Sequence, residues 1–380
     1  MNENMNKNNM LDLNKVKVYI VGGYCRDRLL DRECKDHDFV VVGATPQMML
    51  DCGFTQVGAD FPVFLHPLTG DEFALARTER KTGSGYNGFE TDFGVDITLE
   101  DDLARRDLTI NSMAREVISF DMYGHAKLSD EIIDPFNGQD DLAKGILCHT
   151  TAAFSEDPLR VLRTARFRAR FGFDIHKSTN DLMHVLVLND EMENLTAERV
   201  WTELTKAIGE DQPQLFFSAL EDCGAMSRLF PGVMIAQSIK RHIAARLVDC
   251  SIMERLMMVF VDSPVSLLKN LKAPTDVQRW TGKLQHIVDT RDALVTPWLM
   301  LDCLKSIDGY RQPDELASVL STACFYDFTL SCHVMGIQAA MKATKDIGFD
   351  TLSKENQDTL TGKEIGVAID ELRLAAIKSA

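Results

Sequence analysis

Two aspartates one residue apart, Asp36 and Asp38, are the side chains of this 380-residue chain best suited to chemistry. They open an apolar run, Phe39 to Val42, that reads as a strand, and side chains two apart on a strand share a face. Carboxylates held side by side repel unless a cation lies between them. With oxygen donors alone the expected cation is Mg2+, which takes one or two carboxylates together with substrate phosphates. Just upstream, Gly22-Gly23 lets backbone approach a phosphate without a Cβ in the way, and Arg26 stands one turn into the next helix. Alone, a Gly-Gly pair is a turn and an Asp-x-Asp pair a solvated strand edge. In one strand–turn–helix–strand unit they point to metal-assisted nucleotidyl transfer. His37 faces the other way and is read as structural.

A second concentration of function lies between Ser155 and Arg170. Ser155 is placed to cap a helix with Pro158 in its first turn. At helical spacing Arg160, Arg163, Arg166 and Arg170 fall within about 120° of one another. Val161, Leu162, Ala165 and Ala169 take the other side. An arginine face is usually solvated or salt-bridged. Four like charges so close repel, however, and a bound anion or nucleic acid is the more economical explanation.

These residues need elements to position them. The run before Gly22 is a first strand. Thr45-Pro46 starts a helix that ends near Gly53, and residues 62–67 and 72–77 form a β-hairpin, giving a small mixed sheet with helices against it. Residues 77–94 carry four glycines and no period, and read as a loop. Thr98 starts a helix with acidic residues in its first turn, leading to Arg105-Arg106-Asp107 and Asn111. Ile132 to Leu142 is a strand end, a turn and a helix start, and Thr196 caps a later helix. From 211 onward the pattern is helical, with starts at Thr296-Pro297 and Pro313 and a last helix after Gly366. The fold class is thus an α+β head followed by an all-α remainder. Its expected divisions are a disordered leader (1–14), a head (15–150), a helical neck (151–210), and a helical body and tail (211–380).

Composition sets further bounds. No 18-residue apolar run exists, so no membrane span is expected, and the Asn-rich start lacks the apolar core of a signal peptide. Nine cysteines without any C-x-x-C argue for reduced thiols in a cytosol. A net charge of −16 does not advertise nucleic-acid binding, but binding depends on local patches.

The stretch from Val18 to Ala44 resembles motif A of the nucleotidyltransferase superfamily, and its Gly22–Asp27 lead resembles class II tRNA nucleotidyltransferases and bacterial poly(A) polymerases. Arg105 to Asn111 is similar to motif B of that family, Asp134 to Asp141 to motif C, Glu156-Asp157-x-x-Arg160 to motif D, and Thr196 to Leu204 to motif E. The resemblance implies a class II CCA tRNA nucleotidyltransferase of the shorter bacterial kind, adding C, C and A to the tRNA 3′ end from CTP and ATP. It implies Asp36 and Asp38 as catalytic residues and Mg2+ ligands. Gly23, Arg26, Arg106, Asp157, Arg160, Arg163 and Arg166 become nucleotide contacts, with Asp107 and Asn111 next to Arg106. Asp157 and Arg160 would read the base edge. Cytosine and adenine offer an amino donor beside a ring-nitrogen acceptor, whereas guanine and uracil place a carbonyl where the carboxylate needs a donor. Motif C implies a hinge, motif E a brace for the neck, and the 77–94 loop, with Arg77, Glu79 and Arg80, a part in adding the final adenosine. The implied partners are tRNA, ATP and CTP, in the cytoplasm and away from membranes.

After residue 200 the only histidines are His242, His286 and His333, none beside an Asp, so no HD-type hydrolase is expected. A poly(A) polymerase, a CC-only enzyme and a catalytically idle RNA-binding scaffold remain as alternatives. The acidic chain, the intact loop and the retained aspartates argue against them in turn.

Overall fold

The computed structural model describes residues 11–34, 36–57, 63–81, 89–92, 94–233, 250–291 and 296–379. The chain forms two compact units, Met1–Leu229 and Phe230–Ala380.

The first unit opens with the expected strand–turn–helix–strand: β1 (Lys17–Val21), α1 (Gly23–Leu29) and β2 (Asp38–Val42). Next come α2 (Pro46–Asp51), β3 (Thr55–Val57), the hairpin β4 (Val63–Leu65) and β5 (Glu72–Leu75), and β6 (Thr78–Lys81) with β7 (Phe89–Asp92). α3 (Leu99–Ala104), β8 (Ala114–Phe120), β9 (Ala126–Leu128) and α4 (Gly138–Lys144) complete the head. Seven of these strands form one mixed sheet in the order β3-β4-β5-β2-β1-β8-β9. β2 and β8 flank β1 antiparallel, while β5 runs parallel to β2.

Period-two alternation sends β2 side chains to two cores. Phe39 and Val41 join Val18, Ile20, Phe64 and Phe73 on one face, with Phe39 stacked on Phe73 at 4.4 Å. Val40 joins Val21, Leu103 of α3 and Ala114 on the other. Asp38 shares a face with Val40 by the same alternation, so α3 packs on the carboxylate's side of the sheet.

Several expectations are corrected. β2 begins at Asp38, so Asp36 stands in the approach to the strand, not inside it. Leu11, placed in the disordered leader, is buried in the first core; residues 1–10 lie outside the described ones. The 77–94 segment is not wholly loop: β6 and β7 pair antiparallel, with 82–88 outside the described residues. Their polar strands carry no hydrophobic alternation by which to be seen. Ser155 does not cap the arginine helix. A 3-10 turn (Ala152–Glu156) precedes it, the Ser155 hydroxyl donates to the Ala152 carbonyl, and the Asp157 carboxylate accepts from Leu159 N at 3.0 Å.

That helix is α5 (Leu159–Phe171), succeeded by α6 (Lys177–Leu188), α7 (Ala197–Gly209, capped by Thr196), α8 (Gln214–Asp222) and α9 (Ala225–Leu229). α8, expected to open the body, is tied to α5 instead, since Gln212 N donates to the Ala169 carbonyl and Arg168 pairs with Asp222. The second unit is helical, with Thr296 and Pro313 at helix starts and Ser251–Glu254 a capping box. Its core includes Met257, Leu284, Ile287, Leu304, Val319 and Ile337. Its last helix, Gly362–Ser379, starts earlier than expected because the Glu364 carboxylate accepts from Thr361 N and Oγ1. No helix among the described residues is long and apolar enough to cross a membrane.

α4 is docked by two devices. The Asp134 carboxylate accepts from the Gly138 and Gln139 amides at 2.7 and 2.9 Å, and a Cβ at Gly138 would lie 2.2 Å from the Thr109 carbonyl oxygen. Gly138→Ala should therefore push α4 off the 3-10 turn Thr109–Asn111 and destabilise the first unit by about 1–3 kcal/mol, the range of an overpacked site. Urea denaturation monitored by circular dichroism measures it.

Candidate active site

Gly22 is the position where no other residue serves. Its φ is 67°, its amide donates to the Met113 carbonyl at 3.0 Å, and a Cβ there would sit 2.9 Å from Arg106 Nη1. The glycine turn thus brings Arg106 against the start of α1; Gly23 is the first residue of that helix. Asp36 and Asp38 are both exposed. The protein around Asp38 still removes part of its solvent, which raises its carboxyl above the ordinary value; Arg106 opposes this less strongly and the Asp36 charge adds to it. A carboxylate so placed gains from a cation. Among the described residues no third His, Cys, Asp or Glu completes a metal cage with the pair. The donor set therefore fits an ion that keeps water and phosphate oxygens among its ligands, as Mg2+ does. His37 lies edge-on to Tyr24 at 5.5 Å and 3.7 Å from Asp71, in keeping with a structural role.

Arg106 is held from behind by Asp102, a residue that sequence reasoning passed over. Asp102 is fully buried and accepts from Arg106 Nη2 at 3.1 Å and from Arg105 Nε and Nη2 at 3.1 and 2.9 Å. Burial works to raise its carboxyl, but the guanidiniums of Arg106 and Arg105 outweigh it and hold it below the ordinary range. Its i, i+3 and i, i+4 spacing to the two arginines was the available signal.

Arg26, expected at a phosphate, is buried. Its Nε donates to Asp27 at 2.8 Å and its Nη1 to Asn111 Oδ1 at 2.5 Å, and the guanidinium lies 5.2 and 5.1 Å from the Phe167 and Phe171 ring centroids. From Asn111 the chain of contacts continues to Asp107 at 2.9 Å, and from Asp107 to Arg163 Nε at 2.7 Å. It closes through Arg170, which donates to Asp27 at 3.3 Å. Burial raises the Asp107 carboxyl; Arg163, Asn111 and Arg160 overcome that and hold it far below the usual carboxylate range.

The other α5 arginines are likewise paired. Arg160 Nη1 donates to the Ala153 carbonyl at 2.7 Å and Nη2 to the carbonyl of Arg105. Arg166 Nε donates to Glu203 at 2.7 Å, with Glu210 at 3.4 Å from Nη1. The repulsion expected to call for an anion is thus relieved by carboxylates on other elements at Arg163, Arg166 and Arg170 and by backbone carbonyls at Arg160. Asp157 takes Leu159 N on one oxygen and Arg199 Nη2 on the other, at 3.0 and 2.9 Å. Arg199 and Glu203, four apart on α7, form a face turned to α5 that sequence reasoning read only as a brace. Arg77 N meets Asp102 at 3.4 Å, whereas the Glu79 and Arg80 side chains lie outside the described ones.

Asp107→Asn should cost about 3 kcal/mol, the low end for breaking a buried pair because the Arg163 side chain is 35% exposed. Arg163→Met added to it should cost less than the two single losses summed. Asp102 and Asp107 have folded-state carboxyls below their unfolded values, so their stabilisation is complete at neutral pH. It is lost as pH falls below the ordinary carboxylate value. Denaturation midpoints from pH 7 to 3 should fall in the parent and flatten in Asp107→Asn.

Residues 18–148 match the family model described as the poly A polymerase head domain, and residues 172–236 match the probable RNA and SrmB- binding site of polymerase A. The CCA-adding enzyme of Marinobacter nauticus is 38% identical over 96% of this chain and 99% of its own length. The multifunctional CCA protein of Nitrosococcus oceani is 52% identical over 57% of this chain and 51% of its own. Among solved structures, the Thermotoga maritima CCA-adding enzyme complexed with tRNA has a TM-score of 0.66 at 20% identity, covering 96% of this chain and 88% of that one. That likeness is one of fold. The near full-length match to the Marinobacter enzyme, together with the head-domain match across β1 to α4, establishes that this chain belongs to the class II CCA-adding enzyme family.

Proposed function

We propose that this protein adds C, C and A to the 3′ end of tRNA from CTP and ATP, with release of pyrophosphate, in the cytoplasm. The observation that carries this reading is the joining of Asp36, Asp38, the Gly22-Gly23 turn and Arg106 in one place, in a chain alignable end to end with a CCA-adding enzyme. Solved members of this fold include CCA-adding enzymes complexed with ATP, with CTP and with tRNA.

Asp36 and Asp38 would hold Mg2+, which when bound activates the primer 3′-hydroxyl and neutralises charge on the leaving pyrophosphate. The turn at Gly22-Gly23 leaves backbone open to phosphate oxygens, and Arg106, fixed from behind by Asp102, presents a planar fork suited to them or to the ribose. Asp157 and Arg160 read the base edge. Arg160 ties its own helix to the Arg105 carbonyl, next to Arg106, and so joins the base-reading end of α5 to the phosphate side. Arg26 and Arg163 serve through the buried ring, and Arg166 through its hold on α7, so these three orient the nucleotide site from behind. The domain roles are then a catalytic head, a neck that reads the base, and a helical second unit that holds tRNA.

The test incubates the protein and Mg2+ with tRNA lacking CCA, ending in C or ending in CC, with CTP and ATP separately and together. Growth by CCA and then a stop is expected. Open-ended A tracts would make it a poly(A) polymerase, and growth by CC alone a CC-adding enzyme. No growth would leave only binding. For the metal, Mg2+ should raise the melting temperature of the parent. Because the folded-state Asp38 carboxyl is raised, its charge opposes folding at neutral pH. Asp38→Asn should then raise the metal-free melting temperature slightly and lose the rise with Mg2+.

A further inference from the structure

The segment around Arg199 resembles a motif that braces the neck, yet its guanidinium does something more specific. α7 presents Arg199 and Glu203 on one face. Glu203, with a side chain only 5% exposed, anchors that face to Arg166 of α5. Arg199, one turn earlier, ends at Asp157 Oδ2 at 2.9 Å, while the other oxygen takes the Leu159 amide at 3.0 Å. Both oxygens of Asp157 are therefore held, one by the first amide of α5 and one by a side chain from a different helix.

We propose that Arg199 is a positioning residue for nucleobase choice, fixing the Asp157 carboxylate so that it selects amino-bearing bases. The inference rests on the reading that Asp157 meets the base edge. A carboxylate offers about four lone-pair sites, of which the two contacts use half, leaving acceptor positions for a base. Acceptance alone does not reject uracil or guanine. Rejection requires that the carboxylate cannot turn aside when a carbonyl oxygen is placed against it. A carboxylate held on one oxygen only can rotate about its Cβ–Cγ bond and relieve the mismatch. One held on both oxygens cannot, and the unmet contact then counts in full against the wrong base. Asp157 and Arg199 are each 27% exposed, which leaves the pair open for a base to approach while most of it is enclosed.

The test compares Arg199→Met, Arg199→Gln and Arg199→Lys with the parent in single-nucleotide addition to tRNA ending at each step, using CTP, ATP, UTP and GTP. The Met and Gln variants should narrow the CTP-over-UTP and ATP-over-GTP ratios of kcat/KM by about tenfold, the effect of one buried contact no longer enforced. KM for CTP and ATP should rise while kcat with them stays within a few-fold, because the catalytic carboxylates are untouched. Lysine, which restores one cationic donor, should recover part of both ratios. Should the Met variant fail to fold, as judged by circular dichroism, the Gln variant carries the same comparison. Parent-like ratios, or an equal loss of kcat with all four nucleotides at unchanged ratios, would overturn the proposal and leave Arg199 a brace. Asp157→Ala separates the two levels. If it leaves nucleotide choice unchanged, the base-reading assignment itself fails. If it changes choice and the Arg199 variants do not, only the role of Arg199 fails.

Discussion

Charges taken out of water must be paired, and the first unit is arranged around that constraint. Arg26, Asp27, Asn111, Asp107, Arg163 and Arg170 close a ring that runs from α1 through the turn after α3 to α5 and back. Each member leans on a partner from another element, so no element can shift without exposing an unmet charge. The aromatic rings of Phe167 and Phe171 cover the Arg26 guanidinium and dry the centre of the ring. A hydrophobic contact could bind the same elements as tightly, but hydrogen-bonded charges also fix their rotation, and it is rotation that aims a catalytic side chain.

The ring sits directly behind the candidate site. Gly22 precedes α1, Arg106 precedes Asp107, and Asp157 and Arg160 open α5. The residues proposed to face the nucleotide are thus chain neighbours of residues locked in the ring. The same logic recurs at Asp102, which fixes Arg106 from behind, and at Glu203, which fixes α7 on α5. Asp36 and Asp38 are the exception. They stay exposed, and the partial loss of solvent around Asp38 raises its carboxyl, which suits the cation proposed for the pair.

The acidic total conceals an uneven distribution. Nearly all of the net charge of −16 is carried before Phe230, in the unit where arginines and carboxylates interlock, while the helical second unit is close to neutral. Much of the first unit's charge is paired internally, so neither sign of the total describes what a polyanionic substrate meets.

The sequence by itself determined the elements and the family. Period-two runs, Thr caps and the Gly22-Gly23 turn are local features, each settled by the few residues around it, and the helices and strands they announce are present. The spelling and order of the motifs carried the family. What only the tertiary structure decided is which arginines meet a carboxylate and which carboxylate each one meets. Arg26, Arg163 and Arg166 read alike as nucleotide contacts, and their partners are Asp27, beside Arg26 on α1, and Asp107 and Glu203 on other elements. A charge's partner is set by distance in space, and residues 107 and 163, or 157 and 199, become neighbours only after the helices pack. Helix periodicity fixes the direction of a side chain; what stands in that direction is fixed by the fold.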